Sequence, residues 1–526
     1  IPPGARLINL GSSWAIPNYF LAVRRAKLEC NLIYIPFVHD CIPIIAPQYF
    51  VRELGCDFRE WLRGVLDHAD GVLTSSNSTA KDLDSIAIKF GYNPPNASRI
   101  RLDGKFEPIR TGKKQTKEVI LNRYGVEESN FILFVSTIEP RKNHKLVFQT
   151  WLDLIHEQGI ENVPTLVCVG GRGWKNESAL HLLNSNPDLQ KKIKLFSNVS
   201  DTELDALYSA CMFTIYPSRY EGWGLPVTES LAKGKVPLVS RISSLPEAGL
   251  DFAEYFDLEV ETDFREKLEA LLTDPNRLSR KEKRIIREFR PRPWIEIVHE
   301  IIDKSLDVEP QNHHFTIYHD ATFYSFSRKH RRGQSPHAAS AERFRAGTGW
   351  AEPDEKGCWI TDEGITELVF TQPSVRYPDR LHLYLLAYGG APASPVEKNT
   401  ESLCDDDGRL HQLNIQMGKR VHSFHVEAER ERWILVPIEV DDIADKEVRL
   451  QLDTLPISGR RNSFAVGIKS AYLCEAGDTA ARLNFVEGIA LGAPDALVNP
   501  HAVASEKMSR PVATELALAA PHDGRD

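Results

Sequence analysis

The stretch that decides the fold is YPSRYEGWGLPVTESLAKG, at residues 216–234. It starts at the end of a short apolar run, crosses a loop with two glycines and continues into an apolar-periodic segment that ends at Gly234. Pro226 sits where a first helical residue is expected, and glycine is typical just beyond a helix. The pattern predicts a strand, a loop and a helix in direct succession.

Similar strand and helix patterns lie on both sides of this stretch. Strands are predicted at 131–138, 165–171, 192–198, 213–218 and 236–240, with helices at 144–158, 176–185, 201–211 and 226–234. Three earlier apolar runs, at 7–11, 32–40 and 71–76, also look like buried strands. This alternation predicts an α/β fold, with doubly wound parallel sheets and right-handed crossovers.

From about residue 313 the spacing of the apolar residues becomes that of β-strands, and Gly, Asp and Pro turns separate the strands. This pattern predicts an all-β sandwich. The predicted strands are 366–373, 380–388, 412–418, 420–428, 432–440, 447–455 and 463–473. We therefore predict Rossmann-like domains at 1–125 and 126–290, a crossover helix and linker at 291–312, a β-sandwich at 313–475, and a tail at 476–526 that is disordered or only locally helical.

The bulk composition narrows the class of protein. A net charge of −9 over 526 residues argues against general affinity for nucleic acid, and no apolar run is long enough for a transmembrane helix. Basic runs at 280–292 and 328–332 leave open a contact with a membrane surface or an anionic substrate; the alternative is a solvated helix face and a loop. Eight scattered cysteines without C-x-x-C spacing fit a reducing cytoplasm and imply no structural metal.

The residues of the 216–234 stretch suggest a ligand site. Glycines before a helix N-terminus allow backbone N–H groups to approach a phosphate or sugar oxygen. Glu221 and Glu229 flank these glycines, and carboxylates beside an anion site suit the hydroxyl groups of a sugar and a ribose. The alternative is an ordinary strand–loop–helix corner that carries two surface glutamates.

The run EGWGLPVTE (221–229) resembles the E-x7-E signature of retaining glycosyltransferases, in particular glycosyltransferase family 4. STIEPRKNHKLV, LVCVGGRGW, VSDTELDALYSAC and SRISSLPEAG (starting at 136, 166, 199 and 240) resemble successive segments of that family's donor domain. IPFVHDCIPIIAPQYF (35–50) and HADGVLTSSNSTAKDL (68–83) resemble acceptor-domain segments of its bacterial polysaccharide mannosyltransferases. The resemblance implies two Rossmann-like domains (the GT-B fold) with a deep cleft between them.

The resemblance also implies roles for particular residues. Arg141 and Lys142 would hold the donor diphosphate, whose leaving group gains charge that fixed cations stabilise; the alternative is a solvated turn. Glu221 would contact the transferred sugar, and Glu229 the ribose hydroxyls. The remaining donor-binding positions are the backbone N–H groups of Gly222, Trp223, Gly224 and Leu225, together with Asn198 and Val199 near the base, and Gly171.

On the acceptor side, the resemblance implies that His39 lies near the transferred sugar, with Asp40 orienting its imidazole or positioning the acceptor. The alternative is a histidine satisfied at a strand end. The chain departs from the family pattern twice. Trp223 stands where Phe is commoner, and the first domain is short, so we expect its first β-α-β unit to lie upstream of Ile1 or to be missing.

The activity implied is transfer of a hexose, mannose favoured, from a nucleotide-diphosphate sugar (GDP-mannose favoured) to a glycan or lipid-linked saccharide in surface polysaccharide synthesis. The resemblance implies retention of configuration without a metal or bound cofactor. It places the protein in the cytoplasm or peripherally at the inner face of the membrane.

Two alternatives remain: a hydrolase or epimerase on the same fold, or a non-catalytic glycan-binding protein. In the latter, Trp350 and Trp359 of the β-region, which resembles an accessory sandwich, would stack on sugars rather than lie in its core.

Overall fold

The computed structural model describes residues 1–14, 16, 18–104, 116–311, 322–327, 339–362, 364–371, 380–391, 410–439, 443–444, 447–454 and 465–491. The chain forms two compact units. The first comprises Ile1–Ala15 and Ala26–Asn312, and the second comprises Ile16–Arg25 and His313–Asp526. The division falls inside the first helix, α1 (Tyr19–Cys30), a feature that the sequence did not indicate.

The first unit begins with a four-stranded parallel sheet, which we call the first lobe together with its helices. Its strands, in spatial order, are β1 (Arg6–Asn9), β2 (Ile33–Val38), β3 (Val72–Thr74) and β4 (Ala97–Arg99). Its helices after α1 are α2 (Ile42–Ile45), α3 (Arg52–His68) and α4 (Asn77–Lys89). The three predicted strands correspond to β1, β2 and β3, whose carboxyl ends lie at one edge of the sheet.

The second lobe is a six-stranded parallel sheet with the spatial order β7-β6-β5-β8-β9-β10. Its strands are β5 (Phe131–Val135), β6 (Thr165–Val169), β7 (Ile193–Phe196), β8 (Thr214–Tyr216), β9 (Pro237–Ser240) and β10 (Glu254–Phe256). This is the 3-2-1-4-5-6 order of a doubly wound Rossmann sheet. The order reverses between β5 and β8, and ligands bind outside the carboxyl ends of strands at such a reversal.

The helices of the second lobe complete the alternation. They are α5 (Lys117–Tyr124), α6 (His144–Gln158), α7 (Glu177–Asn184), α8 (Pro187–Lys192), α9 (Asp201–Ala210), α10 (Leu225–Ala232), α11 (Leu245–Gly249), α12 (Asp263–Thr273) and α13 (Pro275–Glu288). The last helix of the unit, α14 (Trp294–Leu306), returns to the first lobe, where Ile297 and Ile301 share a core with Ile35. Helix α6 spans the predicted range and buries Phe148, Trp151 and Leu154 at helical spacing. It ends at Gly159, whose φ of 81° few other residues adopt.

Helix α10 begins one residue before the predicted start and ends two residues before the predicted end. It begins at Leu225, so that Pro226 is its second residue, where a missing N–H still costs nothing. Gly224 precedes the helix with a φ of 105°, and Gly234 follows it with a φ of 72°. The two glycines therefore supply the left-handed backbone at both ends of the helix.

The second unit is a β-sandwich. Its strands are β11 (Thr322–Ser325), β12 (Ala339–Ser340), β13 (Arg345–Gly347), β14 (Cys358–Trp359), β15 (Thr366–Thr371), β16 (Arg380–Gly389), β17 (Leu410–Met417), β18 (Arg420–Glu427), β19 (Glu431–Glu439), β20 (Ile443–Ala444), β21 (Glu447–Thr454) and β22 (Val466–Glu475). One sheet has the order β12-β11-β22-β16-β19 and the other β13-β15-β21-β17-β18. All pairs are antiparallel except β11 with β12. Leu383 and Ile434 of one sheet share a core with Leu413 and Leu450 of the other.

The predicted fold class, α/β with two parallel sheets followed by a β-rich unit, is therefore confirmed. Trp350 is only 7% exposed and donates its Nε1–H to the carbonyl of Glu367, which favours the core alternative for this residue. Trp359 is half-buried against Tyr388. Helix α15 (Thr479–Ala490) is a local helix in the predicted tail, with Phe485 stacked on Tyr472.

The two basic runs differ in what the structure describes. The first coincides largely with α13, where Arg284 pairs with Glu288 and Asp251, and Lys281 with Glu254. The second, at 328–332, lies outside the described residues, as does the tail beyond 491. Among the helices of the described ranges, none has the length and apolarity needed to cross a bilayer.

Candidate active site at the strand-order reversal

The predicted site residues of the second lobe gather where its strand order reverses. Arg141 and Lys142 close a short 3-10 turn (Pro140–Lys142) in the loop after β5. Glu221 lies in the loop after β8, which pairs with β5. We call residues 217–224 the glycine loop. Adjacent parallel strands thus deliver two cations and a carboxylate to one point.

The three charged side chains form a closed ion cluster. Lys142 Nζ donates to Glu221 Oε1 at 2.5 Å and to the Tyr216 hydroxyl at 2.8 Å. Arg141 Nη1 lies 2.9 Å from Glu221 Oε2, and its Nη2 donates to Glu139 at 2.7 Å. The Tyr216 hydroxyl also donates to Glu221 Oε1, at 3.1 Å. Both oxygens of Glu221 are therefore engaged by cations.

Burial decides the electrostatics of this cluster. Burial alone would raise the pKa of Glu221, but the charges of Lys142 and then Arg141 outweigh it and hold the pKa below its usual value. Burial lowers the pKa of Lys142, and Glu221 offsets part of that effect. Burial and the neighbouring Lys142 lower the pKa of His144 to about 3, so this imidazole is neutral. The positive charge of the site therefore comes from Arg141 and Lys142.

The glycine loop fits tightly against the first lobe. A Cβ atom on Gly222 would lie 2.3 Å from the carbonyl oxygen of His39 and 2.8 Å from Asp40 Cβ, so only glycine fits. Trp223 is buried in the core of the second lobe, 4% exposed. Among the described residues, the backbone N–H groups of Gly222, Trp223 and Gly224 donate to no protein atom. They remain available to an oxygen ligand at the N-terminus of α10.

Two serines before α11 hold the glycine loop in shape. Ser243 Oγ accepts from the backbone N–H of Glu221 at 2.9 Å. Ser244 Oγ lies 2.9 Å from the carbonyl oxygen of Glu221 and 3.1 Å from that of Trp223, and donates to them. The loop is thus preorganised through its backbone.

Glu229 is the fifth of the eight residues of α10 and is partly buried. The Tyr208 hydroxyl donates to its Oε2 at 2.7 Å. Burial raises the pKa of Glu229, and this hydrogen bond offsets part of the rise. Among the described residues Oε1 has no partner, so one oxygen can still accept from a ligand hydroxyl.

His39 lies directly after β2, with an exposed side chain. Its Nε2 lies 2.9 Å from the carbonyl oxygen of Leu10 and donates to it, and its ring packs on Phe37. Asp40 instead accepts from the backbone N–H of Ile42 at 3.0 Å. The imidazole is therefore oriented by Leu10. Orienting it was one of the two roles predicted for Asp40, and this carboxylate contacts Ile42 instead.

The remaining predicted residues lie at the carboxyl ends of the next two strands. Asn198 and Val199 follow β7, where Asn198 is exposed with a φ of 60°. Gly171 follows β6 and is exposed, whereas the adjacent Gly170 is sterically required, since a Cβ there would lie 2.1 Å from the carbonyl oxygen of Ser136. The structure records no contact between these residues and the ion cluster.

A cavity of 460 Å³ adjoins the cluster without including any predicted site residue. It is lined by residues that flank Arg141 and Lys142 in sequence, among them Glu139, Asn143 and His144, and by Tyr49 of the first lobe. Two of its lining residues contact Arg141: Glu139 accepts from Nη2, and the backbone N–H of Arg219 donates to the carbonyl oxygen. We therefore locate the candidate site by the cluster and the glycine loop.

Residues 116–289 match the model of the family described as "Glycosyl transferases group 1". That range contains the whole ion cluster, the glycine loop and Glu229. The second lobe is accordingly a glycosyltransferase group 1 domain. The predicted resemblance is confirmed to this extent, while its narrower assignment to family 4 stays a prediction.

The chain is related to mannosyltransferases. It is 30% identical over 243 residues to "Serotype-specific mannosyltransferase WbdA" of Escherichia coli, an alignment that covers 45% of this chain and 29% of that protein. It is 25% identical over 281 residues to "O-antigen chain mannosyltransferase B" of Escherichia coli, covering 53% and 66%. The chain thus spans under a third of WbdA.

Among solved structures, the chain is similar to Anabaena HepE in complex with UDP and glucose. The two are 13% identical with a TM-score of 0.41, and the alignment covers 54% of this chain and 73% of that chain. This likeness is too weak to bear on the fold.

Several residues of the site were not predicted. Tyr216 and Tyr208 both hydrogen-bond a predicted glutamate, yet each reads in sequence as an ordinary apolar position of a strand or helix. Ser243 and Ser244 stand in SRISSLPEAG, so the resemblance offered a signal for the segment but not for their contacts. Side-chain contacts between distant segments leave no periodic trace in sequence.

Proposed function

We propose that the chain is a retaining hexosyltransferase that moves a sugar, mannose favoured, from a nucleotide-diphosphate sugar to a glycan or lipid-linked saccharide. The observation that carries this is the buried Arg141–Lys142–Glu221 cluster at the strand-order reversal of a group 1 domain. The related proteins, a serotype-specific mannosyltransferase and an O-antigen chain mannosyltransferase, support mannose as the sugar and a surface polysaccharide as the product. GDP-mannose as the favoured donor rests on the sequence resemblance alone.

In the proposed reaction the donor diphosphate replaces the Glu221 carboxylate as the partner of Arg141 and Lys142. Glu221 is then released to accept hydrogen bonds from the sugar hydroxyls. Negative charge develops on the leaving phosphate as the glycosidic bond breaks, and the two cations stabilise it without a metal ion. The leaving phosphate oxygen takes the acceptor hydroxyl proton on the same face, so the configuration is retained.

The N–H groups of Gly222, Trp223, Gly224 and Leu225 would bind sugar and phosphate oxygens, and Glu229 the ribose, with Gly171, Asn198 and Val199 completing the donor site. His39 would face the transferred sugar from the first lobe. We infer a cytoplasmic location with peripheral contact at the inner face of the membrane, where a lipid-linked acceptor would be presented.

The proposal is tested by a thermal-shift panel of nucleotide sugars, followed by assays of donor hydrolysis and transfer. We expect GDP-mannose to raise the melting temperature, because a ligand that binds only the folded state stabilises it, and we expect turnover of the same donor. Absence of a shift with every nucleotide sugar would contradict the donor site. A shift without any turnover would favour the glycan-binding alternative.

Replacement of Glu229 by Ala is expected to raise the donor KM about 10- to 100-fold with little change in kcat, since the ribose lies away from the reacting bond. Tyr208→Phe removes only the hydroxyl that orients Glu229, so a rise of a few fold is expected. Initial-rate kinetics with varied donor would check both. An unchanged KM for Glu229→Ala would remove Glu229 from the donor site.

A further inference from the structure

Residues 243–247 contact the two lobes of the first unit at once. Ser243 and Ser244 hold the glycine loop of the second lobe through the backbone of Glu221 and Trp223. Glu247, in α11 three residues after Ser244, reaches the first lobe instead. A single short segment therefore joins the glycine loop to the acceptor-side lobe.

Glu247 engages the N-terminus of α4 in the first lobe. Its Oε2 accepts from the backbone N–H of Asn77 at 2.9 Å, and its Oε1 accepts from that of Ser78 at 3.0 Å. Helix α4 has no acidic residue in its own first turn, and Ser76 caps only the N–H of Thr79. Glu247 thus supplies from the other lobe the carboxylate that satisfies two free N–H groups and complements the helix dipole.

The same end of α4 lies against the candidate site. Ser75 Oγ lies 2.7 Å from the carbonyl oxygen of His39 and 2.8 Å from that of Gly222, so it donates where the lobes meet. One turn into the helix, Asp82 accepts from the Tyr220 hydroxyl at 2.9 and 2.8 Å. The start of α4 therefore sets how the His39 edge meets the glycine loop.

We propose that Glu247 is a positioning residue that clasps α4, and with it the His39 side of the cleft, to the glycine loop during transfer. This inference rests on the proposed function. The clasp acts by keeping the acceptor edge closed over the donor, which excludes water from the reacting centre. Loss of the clasp should favour hydrolysis of the donor over transfer.

Two variants remove opposite sides of the same contact. Glu247→Ala removes the carboxylate, and Asn77→Pro removes one of the N–H groups that it accepts from. Asn77 is exposed and is the first residue of α4, where proline is tolerated in helices. Ser76 is extended, with φ −153° and ψ 164°, as a residue before proline requires. Asn77→Pro should therefore spare the helix while weakening the clasp, because the bond from the Ser78 N–H remains.

We expect Asn77→Pro, which leaves the Ser78 bond in place, to lower kcat for transfer about 10-fold, the scale of one lost charge-assisted hydrogen bond, and Glu247→Ala to lower it at least as much. The ratio of donor hydrolysis to transfer should rise, and the donor KM should stay nearly constant because the donor groups bind the second lobe. The double variant should be no worse than Glu247→Ala, since the bond that Asn77→Pro removes is one of those already lost with the carboxylate. Glu118→Ala, an exposed first-turn acid of α5, is the matched control and should keep the wild-type ratio.

Hydrogen exchange separates the clasp from the activity. In Glu247→Ala the amides at the start of α4 should exchange faster than in wild type, and in Glu118→Ala they should not. Unchanged exchange would overturn the clasp, and faster exchange with an unchanged hydrolysis-to-transfer ratio would overturn its positioning role. If the wild-type chain turned over no nucleotide sugar, the proposed function would fail, whereas the exchange result would still decide whether the clasp exists.

Discussion

Transfer by Lys142→Met is expected to be about 10²- to 10³-fold slower than by wild type, the usual cost of removing one preorganised group that stabilises developing negative charge. The methionine keeps the apolar length of the side chain but has no ammonium group. Arg141 stays 2.9 Å from Glu221, so the carboxylate retains a cationic partner and the fold should persist. The loss should therefore appear in kcat rather than in the amount of folded protein.

Lys145→Met is the matched control for this variant. Lys145 lies three residues further along, in the first turn of α6, but it is exposed and outside the ion cluster. Steady-state transfer assays together with melting curves should show near-wild-type turnover for this control. Equal effects of the two substitutions, or full activity of Lys142→Met, would show that the ammonium group of Lys142 does not stabilise the leaving group.

Glu221→Gln is expected to affect both stability and activity. Glutamine is isosteric but neutral, so Lys142 and Arg141 lose the charge that compensates them in a site where Glu221 is only 7% exposed. Breaking a buried pair from one side typically costs about 3–5 kcal/mol. We expect a clear fall in the melting temperature of the α/β unit. Transfer should also fall, because a neutral amide accepts a weaker hydrogen bond from the sugar hydroxyls than a carboxylate does.

The difference in stability between wild type and Glu221→Gln should depend on pH in one direction. The pKa of Glu221 is held below its usual value by Lys142 and Arg141, so its charge stabilises the fold at neutral pH, and this stabilisation is lost as the pH falls through the lowered pKa. The stability gap between wild type and Glu221→Gln should be constant near neutral pH and shrink below about 4.5. Melting curves across this range measure it; a gap that widened on acidification would contradict the ion cluster.

The double variant Glu221→Gln/Lys142→Met tests whether the instability comes from an uncompensated charge. Removing both partners leaves Arg141 paired with Glu139, so part of the lost stability should return relative to Glu221→Gln alone. Transfer should not return, because the leaving-group cation is absent. Recovery of activity together with stability would mean that the cluster serves the fold rather than the reaction.

Much of the fold could be predicted from local pattern. Strand β5, all apolar and mostly buried, and helix α6, with its apolar positions at helical spacing, carry their structure in their own sequence. The start of α10 was misplaced by one residue because Gly224, rather than Pro226, sets it through its left-handed backbone. The assignment of residues 16–25 to the second unit could not be predicted, because it depends on partners more than 300 residues away, as for Arg24 with the carbonyls of Arg343 and Arg345.

The sequence by itself determined the alternation of strands and helices, and the order of motifs that places Arg141, Lys142, Glu221 and the glycine loop in one domain. Local periodicity and glycine chemistry act over a few residues, so a linear reading recovers them. Only the tertiary structure decided that Glu221 is held by both cations, that His39 is oriented by Leu10, and that Glu247 caps α4. These contacts join segments 29 to 170 residues apart. Tertiary packing brings the first two sets together, each within a single lobe, and the packing of the two lobes makes the contact of Glu247.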